Sequence, residues 1–240
     1  MKLIYSLFFT LLTCYAFAQE TIEFPSEDGL VITADYYPSE GSSKLILLFH
    51  QAGWSRGEYK EIAPKLNQLG YNCLAVDQRS GGQVNGITNE TNKRAKADGK
   101  ETNYSDAFQD IVATVAYAKK QYKPSQLIIW GSSYSSALVL KYAGDYPDQA
   151  DAVLSFSPGE YFGKKDFISS SASNIRIPSF ITSAASEKNS WWNIHEVIKG
   201  DQKVYFLPDT KGNHGSRALW EKFEDSDAYW NAMKKFLKGV

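Results

Sequence analysis

Cysteine is almost absent from this chain. Its 240 residues include two, Cys14 and Cys73, too few for a disulfide framework, so stability has to come from a packed core. Histidine is scarce as well, with only His50, His195 and His214. No His, Cys and carboxylate cluster at metal-ligand spacing is evident. Nor does a dinucleotide-binding glycine motif follow a strand, so neither a metal nor a cofactor is expected. An excess of one charge is missing too: the net charge is −1, which gives no electrostatic footprint for a nucleic-acid partner. No repeat at solenoid or propeller spacing is present.

What is there suits one compact unit. With 43% hydrophobic and 22% charged residues, the chain can bury one sizeable core, and a single domain over 19–240 is expected. The first 18 residues differ in kind. Lys2 is followed by an apolar stretch from Leu3 to Leu12 and then by Ala16-Phe17-Ala18. This pattern predicts a secretory signal cleaved after Ala18, and hence a secreted or periplasmic protein. The apolar stretch is too short for a stable membrane span. A lipoprotein anchored through Cys14 is the competing reading; Thr13 stands before it where a smaller residue is expected. After cleavage at Ala18 only Cys73 remains.

Short apolar runs alternate with longer amphipathic ones. "TIEFPSEDGLVITADYYP" predicts a hairpin turning at Asp28-Gly29. Continuous apolar runs at 44–50 and 71–77 predict buried strands, and 126–131, 151–157, 177–183 and 203–208 predict four more strands. Helical spacing predicts helices over 58–70, 105–122 and 216–237. The basic residues Lys93, Arg94, Lys96 and Lys100 read as a solvated loop within a long excursion, 83–103. The alternation implies an α/β fold: a mostly parallel eight-stranded sheet, an antiparallel N-terminal hairpin and helices on both faces. In such sheets, ligands bind beyond the C-terminal strand ends.

The strand ends carry the chemistry. The fifth strand runs into Gly131-Ser132-Ser133-Tyr134-Ser135, which resembles the G-x-S-x-G nucleophile elbow of the α/β-hydrolase superfamily. There, a tight strand-to-helix turn needs small residues two before and two after the nucleophile. Gly131 and Ser135 meet that need, and Ser133 occupies the centre. The third strand ends in His50-Gln51-Ala52-Gly53-Trp54, similar to the loop that supplies half of the family's oxyanion hole. The resemblance implies backbone N–H donors at Ala52 and Tyr134; Gln51 replaces a common glycine, and His50 reads as a structural histidine. Asp77-Gln78-Arg79 resembles a structural turn of the family, with the arginine held by carbonyls. "IPSFITSAASEKN" resembles the strand leading to the triad acid and puts Glu187 there, with Ala184 at a usual glycine. His214, in a Gly-flanked loop after the eighth strand, falls where the family places its base, while His195 reads as a partly exposed residue on a helix face. Glu160 and Asp209 are the competing acids.

The resemblance implies a serine hydrolase that cleaves carboxylic esters through Ser133, His214 and Glu187 and an acyl-enzyme. The segment between the sixth and seventh strands allows a small cap or none. "SPGEYF" after the sixth strand is similar to dienelactone-hydrolase-like members, which have cysteine as nucleophile. Gln51, Trp54, Tyr161, Trp191 and Trp192 follow strand ends and are candidate walls for a small-molecule or carbohydrate-linked ester. Two other readings stand beside this one: a serine peptidase or amidase on the same triad, and a non-catalytic binding protein that kept the fold.

Overall fold

The computed structural model describes residues 19–240. The expected leader, with Cys14 and the cleavage site after Ala18, lies outside the described residues.

Eight strands form one sheet: β1 (Glu20–Pro25), β2 (Val31–Tyr37), β3 (Lys44–Phe49), β4 (Asn72–Val76), β5 (Gln126–Ser132), β6 (Ala152–Phe156), β7 (Ser179–Thr182) and β8 (Lys203–Phe206). Their spatial order is β1-β2-β4-β3-β5-β6-β7-β8. β2 pairs antiparallel with β1 and β4, and all other neighbours are parallel. The helices are α1 (Ile62–Asn67), α2 (Glu90–Ala97), α3 (Phe108–Tyr122), α4 (Tyr134–Asp145), α5 (Phe167–Ala172), α6 (Lys188–Val197) and α7 (Ser226–Leu237).

The apolar runs of the central strands are unbroken because both faces of the sheet are covered there, whereas the edge strands β1 and β8 are largely exposed. The two-residue period of β3 sends Leu45, Leu47 and Phe49 into one core, beneath α3, α4, α5 and α6. It sends Ile46 and Leu48 into the other, beneath α1 and α7. Each such fully buried side chain contributes roughly 1.5–3 kcal/mol. This is the architecture the sequence implied. No large cap rises between β6 and β7. α5 instead packs down on α4, where the Ser171 carbonyl leaves no room for a Cβ on Gly144. Among the described residues, no helix is long and apolar enough to cross a membrane.

Three local expectations are corrected. The helix expected over 58–70 is a 3-10 turn at Arg56–Tyr59 followed by the short α1. The basic residues expected in a solvated loop lie on or just after α2, which begins where the Asn89 side chain accepts from the Asn92 N–H. α2 is tied to the first hairpin: Arg94 pairs with Glu23, and Lys100 with Asp28 at 3.1 Å. The continuous helix expected over 216–237 is broken. Ser216–Leu219 is a 3-10 turn, and Trp220 is extended at φ −72°, ψ 138°. Trp220 buries its ring against Trp54 and donates from Nε1 to the Glu58 carbonyl, which a continuous helix would not allow.

Candidate active site

Ser133 sits between β5 and α4 at φ 59°, ψ −123°. A non-glycine residue held at positive φ costs about 1–3 kcal/mol. The turn is over-determined by its surroundings: the Ser133 N–H donates to the Phe156 carbonyl at 2.7 Å. A Cβ on Gly131 would collide with the backbone of Ser135 and Ser136. Ser135, in the position more often held by glycine, has its own partners. Its hydroxyl lies 2.5 Å from the His50 carbonyl and 2.6 Å from Gln78 Oε1.

His214 comes from the loop after β8 and Glu187 from the 3-10 turn after β7. His214 Nε2 lies 2.8 Å from Ser133 Oγ, and Nδ1 lies 2.6 Å from Glu187 Oε1. The other carboxylate oxygen accepts from the Ser157 hydroxyl at 2.6 Å and from the Ala184 N–H at 3.2 Å. Burial works against the Glu187 charge, but the hydrogen bonds from His214 and Ser157 outweigh it and hold the carboxyl below its ordinary range. With Nδ1 turned to the carboxylate, His214 Nε2 faces the Ser133 hydroxyl. Glu160 does not join this line; its carboxylate accepts from the N–H groups of Ile168 and Ser169 at the start of α5. Asp209 is exposed.

Phe49 pairs with Gly131 across β3 and β5, so the loop after β3 runs beside the elbow. The Ala52 N–H has no acceptor among the described residues. Tyr134 is the first residue of α4, so its N–H has no intrahelical acceptor either. His50 is fully buried: Nδ1 lies 2.8 Å from the Gln51 carbonyl, and Nε2 accepts from the Gln78 N–H at 3.0 Å. Burial pushes its imidazole down to about 4, against the bond to Gln51, so it stays neutral and braces the loop.

The candidate walls divide. Tyr161 is 41% exposed, and its hydroxyl donates to the Ser157 carbonyl at 2.8 Å. Its phenol is pushed up to about 12, by burial first and then by the Glu187 charge. Gln51 is buried, and its Oε1 has no hydrogen-bond partner among the described residues. It lies so close to Gly215 that a Cβ there would touch it. Trp54 stacks on Trp220 with centroids 5.3 Å apart. Trp191 is not a wall at all: it is fully buried in the core, with Nε1 donating to Ser183 Oγ at 2.8 Å. Trp192 packs with Lys188, His195 and Tyr205. His195 itself is buried among these rings rather than partly exposed. Arg79 is held by the carboxylates of Asp110 and Asp28, not by carbonyls. An open cavity of about 510 Å³ touches His214 and Glu187 but not Ser133. Among the described residues, no group of three or more His, Cys, Asp or Glu side chains is placed to hold a metal ion.

Sequence reasoning missed two residues. Ser157 stands directly after β6 at φ 61°. Its place at a strand end was the available signal, but serine before Pro-Gly reads as a turn. Glu58 is fully buried next to Ser132, and nothing in its local pattern separates it from a solvated helix residue.

A family model described as serine aminopeptidase, S33, matches residues 41–190. No curated protein matches the sequence at a significant level. Among solved structures, a dienelactone hydrolase from Anabaena variabilis is similar at 13% identity and a TM-score of 0.72, covering 93% of this chain and 98% of its own. An esterase from Pyrococcus furiosus is similar at 20% identity and a TM-score of 0.72, covering 92% of each chain. Est1E from Butyrivibrio proteoclasticus, with ferulic acid bound, is similar at 15% identity and a TM-score of 0.66, covering 91% of this chain and 98% of its own.

Proposed function

Because the chain belongs to the serine aminopeptidase S33 family of α/β-hydrolases, we propose that it is an exported serine hydrolase that cleaves carboxylic esters through an acyl-enzyme on Ser133. The observation that carries this reading is the hydrogen-bonded line from Ser133 through His214 to Glu187. In this reading residues 1–18 are a leader, and 19–240 form one catalytic domain that acts outside the cytoplasm.

His214 Nε2 takes the Ser133 proton as Oγ bonds to the ester carbonyl carbon, and the carbonyl electron pair moves onto oxygen. The Ala52 and Tyr134 N–H groups receive that oxyanion; one such donor is worth roughly 3–4 kcal/mol in enzymes of this kind. Collapse of the intermediate breaks the C–O bond, and His214 returns the proton to the departing alcohol. Water, deprotonated by His214, then attacks the acyl carbon; the bond to Ser133 Oγ breaks, His214 returns the proton to Oγ, and the acid is released. Glu187 holds the imidazole in the tautomer that leaves Nε2 free, and balances the imidazolium charge.

The substrate class is a small or carbohydrate-linked ester, entering an open site beside Tyr161 and Trp54. The family description supports a second reading, in which the same groups cleave a peptide or amide bond. A panel of p-nitrophenyl esters, a feruloyl ester and peptide anilides separates the two. Ester turnover with no anilide cleavage is expected; the reverse order of rates would replace the ester reading with the peptidase one.

A further inference from the structure

We propose that Glu58 is a positioning residue that locks the oxyanion loop onto the nucleophile elbow. The inference rests on the serine hydrolase reading and assigns a part of its machinery that lies beneath the reacting groups.

Glu58 is fully buried, the third residue of the 3-10 turn Arg56–Tyr59 after β3. Its Oε2 accepts from the Gln51 N–H at 2.8 Å, and its Oε1 accepts from the Ser132 hydroxyl at 2.7 Å. The Ser132 oxygen in turn accepts from the Ser216 N–H at 2.8 Å. Each partner is a near neighbour of an acting group. Gln51 precedes Ala52, Ser132 precedes Ser133, and Ser216 is two residues past His214. One carboxylate therefore ties together the loop after β3, the elbow after β5 and the loop after β8. Its own backbone is pinned, with Trp220 Nε1 donating to the Glu58 carbonyl at 2.9 Å.

The choice of a carboxylate points to the ionised form. Both partners of the carboxyl oxygens are donors, so an anion satisfies both, whereas an acid or an amide adds a third donor and leaves a mismatch. No cation pairs with Glu58 directly among the described residues. Burial pushes its pKa up to about 7, against the hydrogen bonds from Ser132 and Gln51 and the more distant charges of His214 and Arg217. Tyr59, also buried beside it, is pushed upward in turn, by burial first and then by Glu58. A group whose folded value lies above its unfolded value binds extra protons in the native state. The Glu58 contribution to stability therefore falls as pH rises from about 4.5 towards about 7. A buried anion that weakens the fold at neutral pH while ordering the site is the pattern of a functional residue.

The test compares wild type, Glu58→Gln and Ser132→Ala in p-nitrophenyl ester turnover, thermal unfolding and fluorophosphonate labelling. Glu58→Gln keeps the shape and loses the charge. It should lower kcat roughly 10- to 100-fold with KM within about twofold, because the interaction matters most in the transition state. The wild-type rise in kcat around pH 7, where Glu58 ionises, should be reduced in Glu58→Gln, and at about pH 8 the variant should be no less stable than wild type. If Glu58→Gln does not fold, Ser132→Ala serves instead. Removing a hydrogen bond that lowers the Glu58 value should shift that rise to higher pH. An unchanged kcat in Glu58→Gln, a kcat loss that only follows lost folded protein, or an unmoved profile in Ser132→Ala overturns the assignment. Labelling distinguishes the two levels: a wild type that takes no label at Ser133 overturns the hydrolase reading and this inference with it, whereas a labelled wild type with an indifferent Glu58→Gln overturns only the inference.

Discussion

The Ser157 hydroxyl donates to Glu187 Oε2 at 2.6 Å while Glu187 Oε1 faces His214 Nδ1 at 2.6 Å, so the carboxylate is gripped from both sides. The Ser157 oxygen also accepts from the Gly215 N–H at 2.8 Å, next to His214 in sequence. A hydrogen bond to a charged group contributes about 1.5–3 kcal/mol. Ser157→Ala should therefore lower kcat by roughly 10- to 100-fold. Because Ser157 sits at φ 61°, Ser157→Gly should lose similar activity but unfold at a higher temperature than Ser157→Ala. Steady-state kinetics and calorimetry on the pair check both points; wild-type kcat in either variant would remove Ser157 from the mechanism.

Two glutamates near the site should part company under the same substitution. Glu187→Gln should cut turnover by orders of magnitude, since an amide can hold the wrong imidazole tautomer and cannot balance imidazolium. Glu160→Gln should leave kcat within a few-fold and instead cost about 1 kcal/mol of stability, through the weakened cap on α5. Parallel kinetics and urea denaturation give the comparison. Equal losses of kcat would contradict the roles assigned.

Acid should expose the Glu187 pairing in stability as well. Its folded value lies below the ordinary 4.5, so the native state binds fewer protons than the unfolded chain in that range. The stabilisation is complete above the unfolded value and is lost as pH falls through the folded one. The stability gap between wild type and Glu187→Gln should narrow as pH falls through and below about 4.5. Denaturant titrations along that series measure it, and a gap that stays constant or widens on acidification would count against the pairing.

How much of this was legible in sequence follows from where each residue's partners lie. The central strands of the sheet were readable because burial on both faces leaves an apolar run that needs no distant information. The elbow was readable because the close packing at Gly131 and Ser135 restricts both positions to small residues. The basic stretch around Arg94 was misread as loop because its helix is held by Glu23 and Asp28, some 70 residues away in sequence. The break at Trp220 was invisible for a similar reason: periodicity continues through it, and only contacts with Trp54 and Glu58 stop the helix. Trp191 looked like a pocket wall by its place after a strand, but α6 turns that face into the core. Ser157 and Glu58 act through partners from other strand ends, which no local pattern records.

The tight approach at the elbow yields a stability prediction. Gly131→Ala places a methyl group against the backbone of Ser135 and Ser136. Overpacking against backbone costs about 1–3 kcal/mol or more, so the variant should lower the unfolding midpoint markedly and lose activity by displacing Ser133. Chemical denaturation followed by kinetics on the folded fraction checks this. A variant with wild-type stability and rate would mean that the strand and helix can separate there without consequence.

The central claim is that Ser133 is the nucleophile activated by His214, and active-site labelling tests it most directly. Wild-type protein is treated with a fluorophosphonate, digested and mapped by mass spectrometry, alongside Ser133→Ala, Ser132→Ala and His214→Ala. The account predicts a single modified residue, Ser133, no label in Ser133→Ala, strongly slowed labelling in His214→Ala and retained labelling in Ser132→Ala. A label on Ser132, or a wild type that takes none while hydrolysing esters, would contradict it.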